Sequence, residues 1–251
     1  MYFSKGNLQY KASSRTWRFA ENQYDYEGDA NSNISSTYDG WIDLFGWGTS
    51  GWNPGNKYYR PWDSNNSNGY QYGPNGNYNL MGSYARSDWG YYNSISNGGN
   101  QSHQWRTLTQ SEWNYVFGQR NTTSGILYAK AQVNGVNGVI LLPDDWNTSY
   151  YSLSDYNTSN ASFSSNVVSS SSWIDSLEAH GAVFLPAAGS RNGTSVSSVG
   201  SSGTYWSASY NDSYGSNYAY YVSIYDGGLV AGGFNARYYG RSVRLVCPDE
   251  N

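Results

Sequence analysis

Apolar residues recur at helical spacing in a segment centred on Trp113. Trp113 and Val116 lie three positions apart and a phenylalanine follows directly, so that the three side chains share one face of a helix. The segment begins with a capping box, in which the hydroxyl of Thr109 and the carboxylate of Glu112 each satisfy an unpaired backbone N–H group. The pattern therefore predicts a helix over 109–119.

A second helical pattern precedes Gly181. Trp173, Ile174 and Leu177 are spaced to lie on one face of a helix. Gly181 follows at the position where a left-handed residue commonly ends a helix. These residues predict a helix over about 171–180.

Short apolar or alternating runs, bounded by Gly, Pro and Asn, predict strands in the rest of the chain. The first two runs flank Gly6 and Asn7, which predicts a hairpin. The last run alternates apolar and polar residues, which is typical of a half-buried strand. The predicted strands are 2–4, 8–10, 16–19, 138–142, 182–186, 204–207, 218–225, 229–235 and 241–246.

A long stretch rich in Gly, Asn and Tyr occupies residues 46–104 and carries no clear periodicity. Loops longer than about 15 residues are uncommon in compact domains, so this one needs attachment points. Trp47, Trp52, Trp62 and Trp89 are suited to attach it to the body of the protein.

The composition excludes several classes of protein. Only 13% of the 251 residues are charged and the formal net charge is −4, which does not fit a phosphate-binding nucleic-acid protein. Aromatic residues make up 18% of the chain, with 11 Trp and 27 Tyr, and predict an aromatic core. No apolar run approaches the roughly 18 residues of a membrane-spanning helix, so we expect no transmembrane segment.

Cysteine usage and the start of the chain bear on the compartment. Cys247 is the only cysteine, which excludes an internal disulfide framework and a cysteine-based zinc site. Met1 directly precedes strand-like sequence, which leads us to expect that a leader has been removed. We therefore expect an extracellular protein, on a cell surface or a phage particle.

Seven separated blocks stand out along the chain: FSKGNLQY at 3–10, WRFA at 17–20, LFGWGTSG at 44–51, GVNGVILLPD at 135–144, GAVFLPAAG at 181–189, YWS at 205–207 and GRSVRLV at 240–246. In this order they resemble a group of Bacteroidales proteins related to the Fibrobacter succinogenes major paralogous domain. The resemblance spans essentially the whole chain.

The resemblance implies an α+β, C-type-lectin-like fold. This fold has two helices, small antiparallel sheets, one of which joins the chain ends, and long irregular loops. It would make residues 1–251 a single C-type-lectin-like domain. The same fold occurs in sulfatase-modifying-factor-like proteins and in variable proteins of diversity-generating retroelements.

In those variable proteins a C-terminal segment is mutagenised at template adenines, largely in AAC codons. Such mutagenesis cannot produce Lys, Glu, Gln, Trp or Met, and residues 210–239 contain none of these. The resemblance therefore implies a variable region at about 205–246, framed by the YWS and GRSVRLV blocks.

Strand alternation selects the side chains of this region that would face a ligand. In the strand 218–225, we expect the apolar face with Tyr220, Val222 and Ile224 to point inward. In the strand 229–235, we expect Val230 and Phe234 to point inward. The alternate residues and the flanking loops then face outward. The candidate ligand-binding residues are Tyr210, Asn211, Asp212, Tyr214, Ser216, Asn217, Tyr218, Tyr221, Ser223, Tyr225, Asp226, Leu229, Ala231, Asn235, Tyr238 and Tyr239.

This set has the composition of an antibody paratope. Tyr supplies rigid amphipathic area, and Ser, Gly and Asn supply adaptable hydrogen bonds. The same residues suit a sugar, because tyrosine faces stack on C–H surfaces and amides pair with hydroxyls. The expected partner is a surface protein or a glycan; the alternative is that these are ordinary loop residues in a chain rich in them.

Catalytic constellations are nearly absent, so we do not expect an enzyme. His103 and His180 are far apart in sequence, and His180 is explained by a favourable helix C-terminus. Asp144 and Asp145 follow a proline and are expected in a turn. The Glu-Pro-Asn, Gln-Pro-Asp and Trp-Asn-Asp motifs of calcium-dependent lectins do not occur, which leaves only a structural calcium ion open as a cofactor.

The sequence thus favours a non-enzymatic ligand-binding protein with a variable C-terminal surface. The more specific hypothesis is that it is a variable protein of a diversity-generating retroelement. Two alternatives stay open. One is a receptor-binding or tail-tip protein of a phage that infects gut Bacteroidales, and the other is a structural adhesin module of the cell surface.

Overall fold

The fold is mixed α+β and consists of five small sheets and a few short helices. The structure is a computed structural model, which describes residues 1–63, 65, 72–213, 215 and 217–248. The strands are β1 (Tyr2–Phe3), β2 (Leu8–Lys11), β3 (Thr16–Phe19), β4 (Trp41–Ile42), β5 (Arg106–Thr107), β6 (Tyr128–Val133), β7 (Val136–Leu141), β8 (Val167–Val168), β9 (Val183–Pro186), β10 (Ser190–Asn192), β11 (Ser195–Ser197), β12 (Ser202–Asn211), β13 (Tyr218–Tyr225), β14 (Gly228–Ala236) and β15 (Leu245–Cys247). The sheet orders are β1-β15-β5, β3-β2-β4, β8-β6-β7-β9, β10-β11 and β12-β13-β14.

The two ends of the chain pair in one sheet. Strand β1 lies antiparallel to β15, with Phe3 opposite Val246. The predicted hairpin between residues 2–4 and 8–10 is therefore wrong, because β2 pairs with β3 and β4 instead. Gly6 lacks the left-handed conformation that a two-residue hairpin turn needs, and its α-carbon packs closely against Ala20.

The first predicted helix is confirmed as α2 (Gln110–Gly118), which follows the shorter α1 (Trp89–Tyr92). Its capping box is complete: the Glu112 N–H donates to the Thr109 hydroxyl at 3.2 Å, and the Thr109 N–H donates to the Glu112 carboxylate at 2.8 Å. The buried face carries the predicted apolar side chains and packs against the β12-β13-β14 sheet.

The second predicted helix is irregular. It starts as α3 (Ser170–Ser172), widens into a π-helix over Trp173–Leu177, and closes in a 3₁₀ turn over Glu178–His180. Gly181 ends it with φ +85°, as predicted. The expectation that Ile174 lies on the buried face is wrong, since its side chain is 48% exposed. The wider turn changes which positions share a face.

The core is aromatic, as the composition predicts. Six tryptophans are fully buried within it: Trp47, Trp89, Trp113, Trp146, Trp173 and Trp206. Trp47 and Trp89 attach the 46–104 stretch, which also contains α1 and 3₁₀ turns at Lys57–Tyr59 and Gly82–Ser87. Within the part of the chain described, none of the helices has the length and apolarity that a bilayer crossing requires.

Candidate functional site

The hairpin of β13 and β14 carries most of the candidate residues, and two bulges determine where they point. Tyr220 lies opposite Phe234, whereas Ser223 lies opposite Val230. Tyr220 and Ser223 are three positions apart in β13, so their side chains point to opposite faces of the sheet. Each partner in β14 shares the face of the residue opposite it, so Phe234 and Val230 also lie on opposite faces. Strand β12 is also irregular, between Trp206 and Tyr210.

The predicted inward orientation of Val230 and Phe234 is therefore wrong. Their side chains are 44% and 37% exposed. Leu229 and Ala231, which were expected outward, are half-buried and pack against the core cluster that includes α2. Helix α2 begins with Gln110 beside Gly232, so it covers the hairpin up to that point and leaves Phe234 uncovered.

The exposed end of the hairpin gathers aromatic side chains. The Phe234 ring makes edge contacts with Tyr218 and with Tyr220, both at a centroid distance of 6.3 Å. Tyr238 follows Arg237, whose guanidinium donates to the Tyr218 carbonyl, and its ring stacks on that of Tyr239 at a centroid distance of 4.9 Å. Burial, and next the neighbouring Tyr239, raise the pKa of Tyr238. We call Tyr218, Tyr220, Phe234 and Tyr238 the hairpin patch.

Tyr221 and Tyr239 cover a buried cation and are not free surface. The guanidinium of Arg241 lies 3.6 Å from the centre of the Tyr221 ring, 5.0 Å from that of Trp206 and 5.5 Å from that of Tyr239. Tyr221 does point away from Val222 and Ile224, as strand alternation predicts. It was expected to reach solvent, but its ring packs on the core cluster that contains Trp47, Trp89 and Trp206.

Tyr225 and Asp226 lie at the other end of the hairpin. Seven residue steps along β13 separate Tyr218 from Tyr225, roughly 23 Å in an extended strand. There the ammonium of Lys130 donates to the Tyr225 carbonyl at 2.7 Å, and the Phe163 N–H donates to the Asp226 carboxylate at 2.9 Å. That hydrogen bond lowers the Asp226 pKa. These two residues therefore do not share one surface with the hairpin patch.

The remaining predicted residues are spread over the loop between β12 and β13 and the strands beside it. Asn211 is buried, and its side-chain oxygen accepts the Ser213 N–H, so it supports the loop. Asp212 is exposed there, whereas Tyr210, Asn217, Ser223 and Asn235 are half-buried. Tyr214 and Ser216 lie outside the described residues.

Arg237 fastens the hairpin to the long 46–104 stretch. Its guanidinium is fully buried and donates to the carbonyl oxygens of Pro74, Gly76 and Tyr218 at 3.0–3.3 Å. The guanidinium also lies 4.3 Å from the centre of the Trp47 ring. Burial lowers the pKa of Arg237 to about 9, which still leaves it charged at neutral pH. The backbone beneath the hairpin patch is thus held by a residue that does not contribute to its surface.

Arg244 is a second buried cation near the C-terminus. It donates to the Phe184 carbonyl and to the Gln23 side chain, and burial lowers its pKa to about 10. The predicted half-buried strand over 241–246 is therefore wrong: Ser242 and Arg244 are as buried as their apolar neighbours, and regular pairing is confined to β15. The segment runs between two core clusters, which cover both of its faces.

An acidic cleft at the N-terminal sheet was not predicted. A cavity of about 550 Å³ is lined in part by Gln9, Arg18 and Glu27. The Glu27 carboxylate accepts from Gln9 at 2.7 Å. Burial, and next the nearby carboxylate of Asp43, raise the Glu27 pKa to about 7. A sequence pattern could not reveal this pair, because the two acids are 16 positions apart and Asp43 sits in an apolar run.

The two histidines and Asp144 have separate contacts, with residues outside the hairpin patch. Among the described residues, no group of three or more His, Cys, Asp and Glu side chains could hold a metal ion. His103 packs against Tyr91, and His180, in the last helical turn, stacks on Tyr150. Asp144 lies in a turn, as expected, and pairs with Arg120 at 3.0 Å.

No protein-family model, no curated protein and no solved structure matches the chain.

Proposed function

We propose that this protein is a non-enzymatic, extracellular ligand-binding protein with a C-type-lectin-like fold, and that the hairpin patch binds a surface protein or a glycan. Support for the fold comes from the pairing of β1 with β15 at the chain ends, from the small antiparallel sheets and from the long irregular stretch attached by tryptophans. These features agree with what the sequence resemblance implies.

One observation carries the binding proposal: an exposed phenylalanine stands between two tyrosines at the end of a hairpin. Phe234 is 37% exposed, whereas five other phenylalanines of the chain are buried: Phe19, Phe45, Phe117, Phe163 and Phe184. Clustered exposed aromatic residues are typical of interaction sites, and Tyr offers a large contact area at low entropic cost. The anchoring of the backbone by Arg237 adds the rigidity that a binding surface needs.

The sharper form of the proposal is that the protein is a variable protein of a diversity-generating retroelement. Its support is the absence of Lys, Glu, Gln, Trp and Met from residues 210–239. The hairpin patch lies within this segment, while Trp206 and Arg244, which hold its surroundings, lie outside it. Sequencing the neighbouring DNA tests this form. A reverse transcriptase gene with a near-repeat of the 205–246 coding region is expected, and the absence of both would overturn it.

A binding screen tests the general proposal. The tagged full chain is applied to an array of bacterial and host surface glycans and surface proteins, beside a Tyr220→Ala/Phe234→Ala variant. We expect at least one array member to bind the wild type and not the variant. No binding by the wild type, or equal binding by both proteins, would overturn the proposal.

A further inference from the structure

A small aromatic pocket lies between the β2–β3 hairpin and helix α1, on strands other than those of the hairpin patch. Its volume is about 220 Å³. Pockets for drug-sized ligands start at about 300 Å³, so this one suits a single ring. We call it the N-terminal pocket, lined by Tyr10, Arg15, Trp17, Trp62, Tyr92 and Asn93 among others.

Four aromatic residues contribute to the pocket wall: Tyr10, Trp17, Trp62 and Tyr92. The ring of Tyr10 contacts that of Trp17 at 4.4 Å and lies nearly parallel to that of Trp62, with 12° between the planes and 6.1 Å between the centroids. Tyr92 adds a ring that is 39% exposed. Such faces bind the C–H surface of a sugar ring or another flat apolar group.

Two residues of this wall carry hydrogen-bond donors that no other described residue uses. Tyr10 is 3% exposed and Trp17 is 5% exposed. Among the described residues, neither the Tyr10 hydroxyl nor the Trp17 indole N–H has a hydrogen-bond partner. A ligand in the pocket would supply the missing acceptors.

Asn93 supplies an acceptor on the same wall. Its side-chain nitrogen donates to the carbonyl oxygens of Ser50 and Trp89, both at 2.9 Å. Both N–H groups are thereby used and the amide orientation is set, which leaves the side-chain oxygen available to a donor on a ligand.

Arg15 brings a positive charge to the pocket. It occupies the turn between β2 and β3 with φ +55°, a left-handed conformation that a non-glycine residue adopts at a cost. Its guanidinium makes no ion pair with a carboxylate in the described parts of the chain. A guanidinium binds a carboxylate through charge-assisted hydrogen bonds.

The geometry points to a second binding site, in which the N-terminal pocket takes one acidic sugar ring. The sugar stacks on the more exposed rings of Trp62 and Tyr92, its hydroxyls pair with the polar atoms of Tyr10, Trp17 and Asn93, and its carboxylate meets Arg15. A uronic acid and a sialic acid both carry this chemistry. This site is independent of the hairpin patch and does not require it to bind anything.

Titration calorimetry on the full chain tests the site, with methyl β-D-glucuronide, N-acetylneuraminic acid and the neutral methyl β-D-glucoside as probes. We expect at least one acidic sugar to bind at one site per chain, at least about tenfold more tightly than the glucoside, and the stronger of the two identifies the source. No saturable binding of either acid, or equal binding of the glucoside, would overturn the proposal.

Three variants assign the binding to the pocket. Tyr10→Phe removes only a hydroxyl, and Arg15→Gly removes the charge while relaxing the left-handed backbone, so both should fold. Each should weaken binding of the acidic sugar about tenfold, whereas the hairpin-patch variant Tyr220→Ala should bind it like the wild type. Unchanged affinity in both pocket variants, or loss in Tyr220→Ala, would contradict the assignment.

Discussion

The guanidinium of Arg241 lies against the face of the Tyr221 ring, 3.6 Å from the ring centre. This contact distinguishes two groups of tyrosines that have different roles, although the sequence of the region does not distinguish them. Tyr221 stabilises a buried cation, whereas Tyr218 and Tyr220 border the exposed Phe234. A substitution that tests binding must therefore avoid the first group.

Replacing Tyr221 should destabilise the protein more than replacing a tyrosine of the hairpin patch. Tyr221→Ala removes a ring that packs on the core and the closest aromatic face to Arg241, so we expect a loss of about 3 kcal/mol in the free energy of unfolding. Tyr220→Ala should cost about 1 kcal/mol. Urea denaturation of both variants measures the difference, and equal losses would contradict the structural role of Tyr221.

Removing Arg237 should loosen the long irregular stretch. Arg237→Met leaves three carbonyl groups without their donor, and we expect a loss of about 3 kcal/mol in the free energy of unfolding. Limited proteolysis should also cut near Pro74 and Gly76 faster than in the wild type. Lys57→Met, at an exposed position, serves as the control. If this control is cut near Pro74 and Gly76 as fast as Arg237→Met, Arg237 does not anchor the stretch.

The cleft at Glu27 should make stability depend on pH. The folded-state pKa of about 7 exceeds the ordinary value of 4.5, so the folded protein holds the proton more tightly. Stability from this group is therefore greatest at low pH and falls as pH rises from about 4.5 to 7. Glu27→Gln should raise the free energy of unfolding at pH 8 by about 1 kcal/mol, after allowance for solvent screening, and change it little at pH 4.

Urea denaturation at the two pH values checks this expectation. The free energy of unfolding should depend less on pH in Glu27→Gln than in the wild type. Some dependence should remain, because burial also raises the pKa values of Asp43 and Asp88 to about 6. The exposed Asp145→Asn provides a matched loss of charge. An equal increase in the free energy of unfolding of Glu27→Gln at pH 4 and pH 8 would contradict the raised pKa of Glu27.

The capping box of α2 offers a local test of the fold. Thr109→Ala removes the acceptor for the Glu112 N–H and should lower the free energy of unfolding by about 1 kcal/mol. Thr123→Ala, at an exposed loop position, should change it by less than about 0.5 kcal/mol. Thermal unfolding followed by circular dichroism distinguishes the two, and equal midpoints would show that the cap contributes nothing.

Local signals in the sequence were sufficient for several elements. The capping box at Thr109, the left-handed stop at Gly181 and the strands at 16–19 and 218–225 depend on neighbours along the chain, and the structure confirms them. Strand alternation also placed Val222 and Ile224 in the core correctly.

The candidate surface was predicted less well, because bulges and long-range packing change it. A bulge in the hairpin reverses the alternation between Val230 and Phe234, and α2 covers Leu229 from more than 100 positions away. The burial of Arg237 and Arg244 depends on carbonyl groups supplied by distant segments. None of these contacts leaves a periodic trace in a single sequence.

The affinity of the protein for a ligand identified on the array shows whether the hairpin patch is the binding surface. Tyr220→Ala/Phe234→Ala removes two rings of the patch, and Tyr225→Ala/Val230→Ala is the matched control, with exposed side chains elsewhere on the same hairpin. Surface plasmon resonance on folded proteins should show about a hundredfold loss for the first variant and about threefold or less for the control. Equal affinities in the two variants would contradict the claim that this patch is the binding surface.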